Sequence, residues 1–306
     1  MSRRATSSSS PTLNAVAAGS GAAGVGWAQA ALPGPRPRPR ARSAAATAFK
    51  VGELELVALR DTQFLRPNDG TVFGLDAGPA AVAQVLKAAG APTDTIALGV
   101  DALLVRTGGR LVLIDTGVGG ALQASLAKAG HTPDQVSDIL ITHTHGDHVG
   151  GLVKDGRLAF PNATIRMSAA EWTWLQGKAA QADLAKAIAG KVETFEPGAV
   201  VAPGITAKAI AGHTPGHVGY EIASGEARLL DIGDTAHSFI ISLARPDWKV
   251  GFDTDKDVAR ESRIAALKAL ATSGELVFSP HFPYPGVGRI EARGEGFAWT
   301  PTLAAK

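Results

Sequence analysis

Three of the eight histidines in this chain fall within six residues, in Ile141-Thr142-His143-Thr144-His145-Gly146-Asp147-His148, with an acid between them. Imidazole and carboxylate are the ligands that zinc and similar divalent ions take. The apolar run before the cluster, Ile139-Leu140-Ile141-Thr142, reads as a short buried strand. Side chains two apart in extended chain point to the same side. His143 and His145 can therefore share one ion. Gly146 permits a sharp turn, after which Asp147 and His148 point to a second ion nearby. Val149-Gly150-Gly151 then carries almost no side-chain bulk, as close backbone approach requires. The cluster thus belongs to the end of a strand, where a fold of strands and helices presents its active site.

Three other apolar runs end the same way. Gly212-His213-Thr214-Pro215-Gly216-His217 follows a strand expected at 205–211, Gly233-Asp234-Thr235 follows one at 227–232, and Ser279-Pro280-His281 follows one at 275–278. With these the ligand count closes. His143, His145 and His213 would serve one ion, and Asp147, His148 and His281 the other. Asp234 would bridge, since a carboxylate has two oxygens to offer. A structural zinc site is closed by four ligands, usually with cysteine, and this chain has no cysteine. Seven His/Asp ligands over two ions leave positions open, which is a catalytic design. Zinc is the expected metal, with manganese, cobalt or iron as alternatives.

Around this site the chain reads as one large α+β domain. Strand patterns near 53–59, 101–106, 110–115, 164–167 and 218–223 alternate with helical patterns at 80–89, 120–129 and 255–271. No phosphate-binding glycine loop is present. Residues 1–30 read as an export signal of twin-arginine type, with Arg3-Arg4, a weakly apolar Gly/Ala-rich stretch and Ala28-Gln29-Ala30 as a cleavage site. That predicts a periplasmic or secreted protein. Residues 31–48, with Pro-Arg repeats, read as an extended linker, and residues 49–306 as the folded domain. Residues 1–42 hold six arginines and no acid, which leaves 24 basic against 28 acidic residues beyond them, a net charge of −4. Such a domain offers no clustered cations for nucleic acid, and no membrane association is expected once the leader is removed.

The motif Thr-His-Thr-His-Gly-Asp-His resembles the H-x-H-x-D-H signature of the metallo-β-lactamase superfamily. Ile114-Asp115-Thr116-Gly117, the His213 to His217 run and Gly233-Asp234 fall in that superfamily's order. Phe160-Pro161-Asn162-Ala163-Thr164 and His281-Phe282-Pro283-Tyr284-Pro285-Gly286-Val287-Gly288 make the resemblance closer to the methyl parathion hydrolase-like branch, kin to quorum-quenching lactonases. It covers about 50–300. It implies a four-layer αββα sandwich with a dimetal site at one edge and a bridging hydroxide as nucleophile. The ligands it carries over are the seven already named. Asp147 and Asp234 are the catalytic carboxylates on this reading, with Asp147 also moving a proton to the leaving group.

Asp115 and His217 are expected to support the ligands rather than bind metal. Trp172, Trp174, His237, Phe282 and Tyr284 are the candidates for a substrate pocket. The expected function is hydrolysis of uncharged esters, lactones or phosphotriesters of small molecules, by a monomer or homodimer. A glyoxalase II-like thioesterase has nearly the same motif, but such enzymes carry a helical C-terminal domain, and 25 residues follow His281 here. β-Lactamases that need a ligating cysteine are excluded. A non-catalytic metal-binding protein on the same fold is the remaining rival; degenerate members lose ligands, and all seven stand in place.

Overall fold

The computed structural model describes residues 43–303. The expected export leader and most of the expected linker lie outside the described residues. The first sheet is built from β1 (Ala46–Val51), β2 (Leu54–Pro67), β3 (Thr95–Thr107), β4 (Arg110–Ile114) and β5 (Asp138–Leu140). After a small hairpin of β6 (Val153–Lys154) and β7 (Arg157–Leu158), it continues with β8 (Thr164–Ser168) and β9 (Val192–Phe195). Its order is β1-β2-β3-β4-β5-β8-β9. The second sheet follows chain order: β10 (Val200–Ala202), β11 (Ile205–Ala209), β12 (Val218–Ser224), β13 (Ala227–Asp231), β14 (Leu276–Phe278), β15 (Val287–Arg293) and β16 (Gly296–Pro301). Both sheets are mixed. β4, β5, β8 and β9 run parallel, as do β13 and β14.

The apolar strands explain the layering. In β3 the run Ala102-Leu103-Leu104-Val105 is buried on both faces, which is why it reads as continuous rather than alternating. Leu103 and Val105 join Leu56, Ile114 and Leu140 in packing against Ile205, Tyr220, Ile222 and Phe278 of the other sheet. Ala102 and Leu104 face the opposite way, toward helices α2 (Leu122–Lys128), α4 (Ala169–Gln176) and α5 (Ala182–Ile188). On the far side of the second sheet, α7 (Lys256–Ser273) lays Leu267 and Leu270 against Val277 and Ile290. Short helices α1 (Pro79–Ala88), α3 (Gly146–Val149) and α6 (Ile241–Ala244) complete the set. The layers run helix, sheet, sheet, helix, as the resemblance implied.

α7 is bounded by its own chemistry. Asp255 caps it by accepting from the Val258 N–H at 3.1 Å, and Gly274 closes it with φ of 63°. Two elements depart from expectation. β1 begins at Ala46, inside the stretch expected to be linker, because Ala46 to Val51 pair along β2. β15 and β16, where no strand was expected, form a hairpin beyond β14. Its outward residues, Arg289, Glu291 and Arg293, are exposed, so the hairpin carries too little apolar signal to read as core.

Candidate metal centre

Every expected ligand sits just past a strand end, all at one edge of the sandwich. β5 ends before His143; His213, Asp234 and His281 follow β11, β13 and β14, and the supporting Asp115 follows β4. Parallel neighbours put these ends side by side. Gly150 and Gly151 let the α3 segment pass against the loop after β4, where a Cβ on Gly151 would strike the Thr116 carbonyl.

The donors fall into two groups. His143, His145, His213 and Asp234 form one, and Asp147, His148 and His281 the other. In the first, His145 Nδ1 lies 3.1 Å from His143 Nε2 and 2.9 Å from His213 Nε2. Asp234 spans the two. Its Oδ2 is 3.5 Å from His143 Nε2 and 3.2 Å from His213 Nε2, while its Oδ1 is 3.1 Å from His148 Nε2 and 3.0 Å from His281 Nε2. Asp147 is the outlying member, with Oδ2 3.7 Å from His281 Nε2 and its side chain 26% exposed.

The far nitrogens of His143, His148, His213 and His281 are engaged, which fixes which of their lone pairs face inward. His148 Nδ1 donates to Asp115 Oδ2 at 2.7 Å, His213 Nδ1 to Asp253 Oδ1 at 2.9 Å, and His281 Nδ1 to the Gly99 carbonyl at 2.6 Å. The Thr142 hydroxyl donates to Asp115 Oδ2 at 2.8 Å, so its lone pair accepts from His143 Nδ1 at 3.1 Å. Asp115 holds this geometry with a left-handed φ of 60° and also accepts from the Thr142 N–H at 2.9 Å. His217 donates Nδ1 to the Ile210 carbonyl and accepts the Asp234 N–H on Nε2 at 3.0 Å. It orders the loop and is not among the converging donors.

These residues fit divalent ions. His148 Nε2 and Asp234 Oδ1 are buried, face each other, and have no hydrogen bond. Unsatisfied polar atoms of this kind are rare in a folded protein, and a shared cation accounts for them. The electrostatics agree. Burial disfavours the Asp234 carboxylate, but His281, His148 and His143 outweigh it and hold its pKa well below the usual range. Asp147 is likewise lowered, against burial, by His148 and His281. Burial and the His213 charge push His145 down to about 3. His213 goes the other way: Asp234 and Asp253 overcome burial and raise it to about 9.

A cavity of about 350 Å³ opens onto the centre, lined by His145, Asp147, Asp234, His237 and His281 and faced by Phe64, Arg66, Leu98 and Phe252. Of the five expected pocket residues, His237 alone lines it. Its ring stacks on His281 at 12°, and its Nε2 lies 3.1 Å from Asp234 Oδ2. Trp174 meets the His145 ring edge-on, at 5.6 Å, without lining the cavity. Trp172 packs against the core beneath the first sheet. Phe282 is buried against Trp299, at 4.9 Å between centroids. The Tyr284 hydroxyl donates to the Ala58 carbonyl and accepts from Thr47, and the ring lies under the Arg60 guanidinium in a separate, smaller cavity. The expected placement of Trp172, Trp174, Phe282 and Tyr284 in the pocket is thus corrected. Sequence proximity to His281 misled because the chain turns away after it.

The sequence reading missed Glu171, Asp253, Phe64, Arg66, Leu98 and Phe252. Glu171 is fully buried and accepts from the Thr144 N–H and hydroxyl, the Thr214 hydroxyl and the Gly216 N–H. Ser168-Ala169-Ala170-Glu171 has the pattern of a helix-capping box, and Ser168 does cap the helix. The Glu171 side chain instead turns inward to the ligand loops.

A family profile described as the metallo-beta-lactamase superfamily matches residues 95–281, more than half of the chain. The chain belongs to the metallo-β-lactamase superfamily. Among solved structures it is similar to AidC, a dizinc quorum-quenching lactonase in complex with a product, with 31% identity, 86% of this chain and 99% of that chain covered, and a TM-score of 0.82. It is similar to the hydrolase AbOPH of the beta lactamase superfamily, with 30% identity, coverage of 87% and 100%, and a TM-score of 0.79. A probable metal-dependent hydrolase from Staphylococcus aureus shares the fold at 21% identity, covering 84% and 100%, with a TM-score of 0.70. A search of curated proteins finds no match. Superfamily, donor groups and neighbours together make this chain a metal-dependent hydrolase.

Proposed function

We propose that this chain is a dinuclear hydrolase that opens lactones and related uncharged esters of small molecules. The observation that carries this reading is Asp234, whose two oxygens each face a separate cluster of imidazole nitrogens. His143, His145 and His213 would hold one ion and Asp147, His148 and His281 the other, with Asp234 between them; zinc is the expected metal. When bound, such a pair supplies Lewis acidity and a hydroxide at neutral pH. The rest falls to the protein. Asp115, Asp253 and the Gly99 carbonyl keep three imidazoles aimed inward. Asp147, whose carboxylate His148 and His281 keep ionised against burial, would take up a proton and hand it to a leaving alkoxide. His237 is buried, with neither ring nitrogen hydrogen-bonded, and can meet a substrate oxygen in the cavity. Phe64, Leu98 and Phe252 exclude water around an apolar chain.

Lactones come first because AidC, the similar dizinc lactonase, was solved with an N-acyl homoserine product. The test is turnover of lactones, aryl esters and phosphotriesters by the metal-loaded protein, before and after metal removal. The expected result is about two ions per chain and lactone opening that disappears on removal and returns on reloading. Two bound ions without turnover of any of the three classes would refute the proposal.

A further inference from the structure

Arg66, near the end of β2, is the one arginine that lines the cavity of the metal centre. Its guanidinium lies 5.3 Å from the centroid of Phe252 and 5.7 Å from that of Phe64, and both rings line the same cavity. A planar cation held on aromatic faces is fixed in orientation and weakly hydrated. Its Nε is buried and has no hydrogen-bond partner. No carboxylate among the described residues forms an ion pair with it. A buried N–H without an acceptor is costly to keep, and the hollow beside it belongs to the substrate.

We propose that Arg66 is a specificity-determining residue that donates to a second carbonyl oxygen of the substrate, apart from the one under attack. The site would then select lactones or esters that carry an amide or similar carbonyl beside an apolar chain. This rests on the hydrolase reading. The surroundings favour a neutral acceptor over an anion. Phe64, Leu98 and Phe252 would strip a carboxylate of water, whereas a carbonyl flanked by hydrocarbon matches a cation flanked by rings.

The test uses two lactones of equal chain length, one joined to its chain through an amide and one through a plain alkyl link. Their ring-opened hydroxy acids serve as unreactive ligands. Metal-loaded wild type, Arg66→Met and Arg66→Lys are compared. In Arg66→Met the KM for the amide lactone should rise about 10- to 100-fold with kcat little changed, the signature of lost uniform binding. The alkyl lactone should change by less than about threefold. Affinity for the amide-bearing hydroxy acid, read by calorimetry, should fall by the same factor, and Arg66→Lys should recover part of it. Unchanged metal content and melting temperature exclude misfolding. Equal losses on both lactones, or product binding indifferent to Arg66 or undetectable in wild type, overturn the role. Wild type that binds the amide product through Arg66 yet opens neither lactone would refute the hydrolase reading and keep the contact.

Discussion

Glu171 accepts four hydrogen bonds from two loops that are distant in sequence. Its Oε1 takes the Thr144 N–H and hydroxyl, each at 2.7 Å, and its Oε2 the Thr214 hydroxyl at 2.6 Å and the Gly216 N–H at 3.1 Å. Thr144 stands between His143 and His145, and Thr214 follows His213. One carboxylate therefore sets the spacing of three nitrogens at the first site. In Glu171→Gln an amide nitrogen must face a backbone N–H that cannot reverse its role. The expected loss is about 1–3 kcal/mol of stability and about 10- to 100-fold in affinity at the first metal site. Occupancy of the second site should be affected less. Metal titration with denaturant unfolding reads both, and equal weakening of the two sites would refute the assignment. At this scale the ligands were legible and their supports were not. His213 and Asp234 announce themselves by standing directly after an apolar run. Glu171 and Asp253 stand in a helix turn and a loop, where an acid is ordinarily solvated.

Elements explain how the second sheet delivers His213. The start of α7 is tied to the loop that holds it: Thr254 N–H donates to the His213 carbonyl at 3.0 Å and Asp255 N–H to the Gly212 carbonyl at 2.9 Å. From the same helix Arg263, buried, reaches Asp253 Oδ2 at 3.1 Å, and Asp253 in turn holds His213. Gly212 makes the approach possible. Its φ is 111°, and a Cβ there would strike the backbone nitrogen of Ala259 in α7. Gly212→Ala thus combines a forbidden backbone angle with a backbone collision, and should cost more than about 2 kcal/mol. The first metal site should fail before the fold does. Intact metal stoichiometry in that variant, measured beside its melting temperature, would contradict the tie. α7 itself was legible from its cap, its Gly274 and its apolar spacing. β2 was legible only at its start. Its far end, where Phe64 and Arg66 reach the cavity, alternates on a surface whose purpose depends on Phe252, nearly two hundred residues later.

Across the whole molecule, the metal centre joins the two sheets. His143, His145, Asp147 and His148 come from the first, and His213, Asp234 and His281 from the second. Metal binding and stability are therefore linked, and the linkage depends on pH through the imidazoles that hold their protons above 6.5, His213 at the first site and His148 and His281 at the second. Between pH 6.5 and about 9, His143 and His145 are already neutral and Asp234 already ionised. His213, raised from 6.5 to about 9, is then the one first-site ligand whose proton an ion must displace. Its raised value stabilises the metal-stripped fold fully below pH 6.5, and that contribution is lost as pH climbs through about 9. Over the same window, affinity at the first site should gain about tenfold per pH unit from this one proton. The stripped protein weakens while the loaded one, with His213 neutral both when folded and when unfolded above pH 6.5, holds steady. The gap in melting temperature between the two, at fixed free metal, should widen steadily from pH 6.5 to 9. Scanning calorimetry across that range decides it: a gap that stays constant or narrows would show that His213 does not bind its proton in competition with the metal.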